Sequence, residues 1–228
     1  LSLFRDDQRR EQALDPLAML FHGAPVEPGE LRRVFTDEQL RLTRASAEQS
    51  LAQLRRIERR RLSPERQISY DVFLDSKREE LEWLAPDMAA LTAVRPLDHF
   101  GGLQIEFPSV MAAGGSFAYR SEADYWRGLA VQKMLPVMFD NAVLRFRQGL
   151  DSGVVDTQLT TRNMIAQIDA LLAQPVEASP LYSPVLDFPA AIPAAHREQL
   201  RSAYAAAIRT EIYPAYRRLR AFLNDEYL

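Results

Sequence analysis

At four points in this chain a capping residue stands directly before a proline or an acid and then an apolar pattern of helical period. These are Asp15-Pro16, Thr36-Asp37-Glu38-Gln39, Ser63-Pro64-Glu65 and Ser121-Glu122-Ala123-Asp124. A side-chain oxygen at such a position accepts one of the orphan N–H groups of the first helical turn. Proline at the next position has its φ already set and lacks an N–H that would go unused. Acids there meet the positive end of the helix dipole. This punctuation predicts an all-α fold, a multi-helix array of antiparallel helix pairs with long ordered loops.

Between these signals the chain divides as follows. A short helical pattern covers Phe4 to Phe21, restarting at Asp15-Pro16, and a loop follows at Gly23-Ala24-Pro25 and Pro28-Gly29. The clearest helix starts at Thr36, with Gln39 completing a capping box, and carries Leu40, Ala47, Leu51 and Leu54 on one face. We expect it to reach about Arg61, so that Arg55, Arg56, Arg59, Arg60 and Arg61 fall in its last turns. The helix after Ser63 carries Ile68, Val72, Leu74, Leu81 and Leu84 and stops before Pro86. A minimal turn joins the two, which predicts an antiparallel hairpin.

From Pro86 to Ser121 the pattern changes. Asp87 to Val94 predicts a short helix, Arg95 to Pro108 an ordered loop or short extended piece, and Gly114-Gly115 its end. Helical pattern resumes at Ser121 and runs to Gly149, broken at Pro136 into two helices meeting near Leu135 or one kinked helix, with Gly153 as the stop. Thr160 or Thr161 opens a helix to about Ala173. Prolines space an irregular connection from Pro175 to Pro193, and the last helix starts near Ala194 and meets Pro214. We take residues 1–228 as one helical region with a sub-boundary near 86–121. The sequence opens on Leu1 and stops inside the apolar pattern of Tyr216, Leu219, Phe222, Leu223 and Tyr227, which we read as the mark of a piece of a longer protein.

Composition bears on function by exclusion. The absence of cysteine removes disulfides, thiolate zinc sites and a Cys nucleophile from these residues. A net charge of −3 argues against nucleic acid as a partner, and no apolar run approaches the roughly 18 residues of a membrane span. Of the 28 basic residues only Lys77 and Lys133 are lysine, a bias we assign to codon usage before function.

Helix-borne zinc hydrolysis needs two histidines four residues apart with a glutamate between them. The three histidines here, His22, His99 and His196, are far apart. His22 and His196 read as surface or packing residues. His99 stands in a loop with Asp98 and Glu106 nearby, all metal-capable or substrate-binding side chains; these three are the candidate cleft contacts. Gly101-Gly102 and Gly114-Gly115 lack the Lys-Ser/Thr of a phosphate loop and read as turns. No serine sits in a nucleophile elbow. Glu79-Glu80 beside Lys77 and Arg78 reads as a solvated face, and Tyr125, Trp126, Met134, Met138 and Phe139 as a helix core face. No catalytic, cofactor-binding or metal residue is assigned within the chain.

The run Ser121-Glu122-Ala123-Asp124-Tyr125-Trp126-Arg127-Gly128-Leu129, then Leu135-Pro136, then Arg145 to Val154, and the later Ser179-Pro180-Leu181-Tyr182-Ser183-Pro184 and Ile212-Tyr213-Pro214-Ala215-Tyr216-Arg217-Arg218-Leu219, resemble the N-terminal part of the bacterial domain-of-unknown-function 885 family. Ser69-Tyr70-Asp71 is also similar. The resemblance covers about Asp15 to the end. It implies a longer, all-helical, zinc-dependent peptidase-like hydrolase whose metal-binding helix lies beyond these residues. By that likeness this chain is a scaffold that shapes the substrate cleft and is inactive alone, with zinc expected only in the full-length protein. Its partners would be its own C-terminal half and a peptide substrate. An exported, periplasmic location fits the likeness, with the cytoplasm as the alternative. Two other readings stand beside it: a stand-alone helical binding or scaffold module, and an enzyme built on His99, Asp98 and Glu106.

Overall fold

Every capping signal seen in the sequence opens a helix or follows one in the computed structural model, which describes residues 2–228. In chain order the helices are α1 (Ser2–Leu14), α2 (Pro16–Phe21), α3 (Asp37–Leu54), α4 (Pro64–Trp83), α5 (Pro86–Thr92), α6 (Leu103–Met111), α7 (Glu122–Gln132), α8 (Leu135–Ser152), α9 (Gln158–Leu172), α10 (Ala194–Ala207) and α11 (Tyr213–Phe222). No strand occurs among the described residues, so the fold is all-α. The chain divides into two compact units.

The first unit holds residues up to Asp15 and Thr36–Ala93, that is α1, α3, α4 and α5. The Thr36 hydroxyl accepts the Gln39 N–H at 3.2 Å. The Gln39 side-chain amide donates to the Leu14 carbonyl at 3.3 Å and ties α1 to α3. α3 also ends earlier than its pattern suggests, with Arg55 as its C-cap. Arg59, Arg60 and Arg61 form a separate 3-10 turn. Arg59 is drawn there by a bidentate pair with Asp71 on α4, at 2.6 and 2.5 Å. At the other end of the pair, Arg44 donates to the carbonyls of Leu81 and Leu84. These two contacts make α3 and α4 antiparallel.

The centre of this unit is polar as well as apolar. Lys77, placed by its neighbours on a solvated face in the sequence reading, is only 3% exposed. Its ammonium pairs with Asp7 at 3.0 Å, Glu80 at 2.7 Å and Glu11. Asp7 in turn accepts from Ser50 on α3. Conversely Ile68 and Val72, read as core positions of α4, are 65% and 64% exposed. α4 turns its Phe73–Lys77 side inward, where Phe73 stacks on Phe4 at 4.7 Å and lies 5.7 Å from the ammonium. Charge pairing, which a hydrophobic pattern does not reveal, selects the buried face.

The second unit holds Pro16–Phe35 and Val94–Leu228. Ser121 and Asp124 form a complete capping box. α7 and α8 meet at Met134, with Pro136 inside the first turn of α8. Gly153, at φ 75°, closes α8 in the left-handed region that suits glycine. α9 begins at Gln158, two residues before the earlier of the expected starts, Thr160 or Thr161, because Thr157 caps it by accepting the Thr160 N–H. α11 packs along α8 and α9: Phe139 meets Tyr216 edge-on at 4.8 Å, and Phe146 meets Tyr227 at 4.6 Å. Tyr204 donates to the Tyr125 carbonyl at 2.7 Å and joins α10 to α7. Close approach is possible there because Gly128 has no Cβ; one would stand 2.6 Å from the Tyr119 ring. Before Pro214 the chain widens into a π turn over Ile208–Ile212, which passes the residue lacking an N–H without breaking the helix.

Residues 103–111, expected as loop or extended chain, are helical despite Pro108. A helix residue at 108 would normally donate to the carbonyl of Gln104, and proline cannot. The buried hydroxyl of Tyr216 supplies that bond, at 2.9 Å. A hydroxyl 112 positions along the chain from that carbonyl thus makes the proline tolerable.

Candidate functional site

The turn leading into α6 is built by its own side chains. Val94 and Leu97 are buried, which turns Arg95 and Asp98 outward. The Asp98 carboxylate accepts the N–H groups of Phe100 and Gly101, at 2.6 and 2.9 Å. Gln104, buried, donates to the Asp98 carbonyl at 2.6 Å, and Gln167 of α9 donates to the His99 carbonyl at 2.8 Å. The turn closes at Gly102, where a Cβ would fall 2.3 Å from the Asp98 carbonyl oxygen. This scaffold presents the His99 ring, half-buried and stacked on Phe100 at 4.0 Å. Its Nδ1 is buried with no hydrogen-bond partner. Phe100 itself is 83% exposed.

Three residues not singled out from the sequence join this turn. Asp156, just before the α9 cap, donates its N–H to the Tyr227 hydroxyl at 2.8 Å, and that hydroxyl donates back to its carboxylate at 3.4 Å. Burial pushes the Asp156 carboxyl up; Arg95, the Tyr227 bond and His99 pull the other way, and Asp98 adds to the rise. Burial likewise pushes the Tyr227 hydroxyl up to about 12. Arg95, Asp98, His99, Asp156 and Tyr227 therefore share one electrostatic neighbourhood. No local signal could have joined positions 95, 156 and 227. Tyr227 in particular belongs to an apolar stripe, and only its hydroxyl reaches the cluster.

Of the expected trio, Asp98 and His99 stand side by side in this turn. Glu106 lies in the first turn of α6 and is not among the charges acting on Asp156. Among the described residues no three His, Asp or Glu side chains converge as a metal cage. The Asp98 carboxylate is already engaged by its own turn. What the cluster offers is a cation, a half-buried carboxyl, an imidazole and an exposed aromatic ring. Such a set can hydrogen-bond and stack against a chain with both polar and apolar groups.

The other candidates lie apart. His22, just past the end of α2, contacts the Ala18 carbonyl at 2.7 Å through Nδ1. His196 contacts Glu122 at 2.8 Å, and this hydrogen bond holds the Glu122 carboxyl below its usual range. Tyr125, Met138 and Phe139 are core residues, whereas Trp126 is exposed and its indole donates to Glu122. No helix among the described residues is long and apolar enough to cross a membrane.

Comparison with known proteins yields two likenesses. A solved structure, described as "putative lipoprotein from Colwellia psychrerythraea", superposes with a TM-score of 0.76 at 11% sequence identity. The match covers 96% of this chain but 39% of that one, so the chain spans about two fifths of the Colwellia protein's length. At that identity the likeness concerns the fold. No curated protein matches the chain. The family model described as "Bacterial protein of unknown function (DUF885)" matches residues 16–228, and the chain belongs to that bacterial family.

Proposed function

We propose that this chain is the N-terminal helical scaffold of a zinc-dependent, peptidase-like hydrolase, shaping the substrate cleft and inactive by itself. The observation that carries the reading is the coverage: nearly the whole chain corresponds to a minor part of a longer solved relative. The residues here do not fit a zinc site, since no metal-ligating set converges among the described residues. In this proposal zinc is held elsewhere in the longer protein and no chemical step is assigned to the present residues. Asp98, His99 and Glu106 would line the cleft, with Phe100 beside them as a stacking surface for a peptide. The Colwellia protein's description as a lipoprotein supports an exported location.

The test compares the 228-residue chain with the longest protein its native host makes from the same gene. Zinc content and hydrolysis of a peptide library are measured on both. The proposal expects about one zinc per longer protein, peptide cleavage by it, and neither property in the short chain. In the longer protein, His99→Ala should raise KM and leave zinc content unchanged. A longer protein without zinc or cleavage would overturn the reading.

One observation favours a stand-alone binding module instead. The apolar stripe of Tyr216, Leu219, Phe222, Leu223 and Tyr227 is buried inside the second unit and needs no further partner. A native mass near 26.0 kDa would give that reading precedence.

A further inference from the structure

We propose that a cavity of about 300 Å³ in the first unit is a binding site for a carboxylate carrying a short apolar tail. The inference is independent of the hydrolase reading. The cavity lies where the first turn of α1, the end of α3 and the start of α4 converge. Its apolar walls are Phe4, Leu54, Ile57 and Leu62. Leu54, fully buried, forms its floor and Phe4 is braced from behind by Phe73, while Ile57 stands exposed at the rim. Three polar residues complete the lining, Arg66, Ser69 and Tyr70, and the Ser69 hydroxyl already donates to the Glu65 carbonyl.

The charge pattern points to an anion. The neighbouring arginines are engaged, Arg59 with Asp71 and Arg61 with Glu58. Among the described residues, Arg66 has no hydrogen bond or ion pair and the Tyr70 hydroxyl has no hydrogen bond. No aspartate or glutamate lines the cavity, so nothing on its wall repels a carboxylate. A guanidinium and a phenol together match the two oxygens of a carboxylate. At about 30 Å³ per water-sized group, the volume holds roughly ten such groups. That is the size of a medium-chain acyl group or of one large apolar side chain at the C-terminus of a peptide, and binding of such tails in apolar cavities of this size is ordinary.

Isothermal titration of the 228-residue chain with octanoate, N-acetyl-leucine and octylamine tests the proposal. We expect saturable one-to-one binding of at least one of the carboxylates and none of octylamine. Tighter octanoate would identify an acyl chain as the source; tighter N-acetyl-leucine, a peptide C-terminus. Arg66→Gln, at an exposed position, should weaken binding about tenfold or more, and Tyr70→Phe about threefold. Ile57→Trp should fill the cavity and abolish binding while the far-ultraviolet dichroism stays helical. Absence of binding by both carboxylates, equal binding of octylamine, or an unchanged affinity in the Arg66→Gln protein would each overturn the assignment.

Discussion

Lys77 shows how a single charge can decide which side of a helix faces inward. Burial alone would lower its pKa. The hydrogen bonds that the ammonium donates to Glu11, Glu80 and Asp7 outweigh that cost and raise it above the ordinary lysine range. A raised lysine pKa contributes stability in full below the unfolded-state value, and that contribution is lost only as pH climbs through the higher folded-state value. Lys77→Met should therefore destabilise the first unit by about 3 kcal/mol, the cost of leaving a buried carboxylate without its partner. The loss should be the same at about pH 6 and pH 9, since both lie below the lysine range; thermal denaturation of both proteins at the two pH values reads it. Asp156 has the opposite sign. Its carboxyl is raised by burial, so stability falls as pH rises from the unfolded-state pKa to the higher folded-state pKa, the cost is complete above that, and at acid pH it disappears. Asp156→Asn keeps the N–H bond to Tyr227 and removes the charge. It should raise the denaturation midpoint at neutral pH, and the gain should vanish as the pH falls through the carboxylate range.

At the scale of elements, α6 depends on a bond from outside itself. Tyr216→Phe would leave the buried Gln104 carbonyl without the donor that replaces the missing proline N–H. An unsatisfied buried acceptor costs about 1–3 kcal/mol. Pro108→Ala restores the intrahelical donor, so in that background the same tyrosine change should cost measurably less. Urea titration of the two single variants and the double variant measures this coupling. The helix would be hard to read from its own residues, because Pro108 signals a break and Gly101-Gly102 precedes it as a turn. The capping signals at Thr36 and Ser121 were legible because their partners lie within three residues. The shortening of α3 was not, because Asp71 draws Arg59 out of the helical pattern from twelve positions away.

At the scale of the molecule, the net charge of −3 and the interspersed ion pairs leave no bulk attraction for phosphate backbones. Fluorescence polarisation with a labelled DNA duplex at physiological salt should show no binding; a salt-sensitive complex would contradict that. Local sequence information determined the all-α class, most helix starts and the Gly153 stop, since each rests on hydrogen bonds or dihedral limits spanning one turn of chain. Family membership was legible as well, and the runs around Ser121, Arg145 and Tyr213 lie within the residues 16–228 that the family model matches. Tertiary structure alone decided which face of α4 is buried, how Pro108 is tolerated, and that Asp156 and Tyr227 join His99. Those outcomes are set by charges and hydroxyls that meet across tens of residues, and periodicity along a chain carries no record of which distant polar group will be its partner.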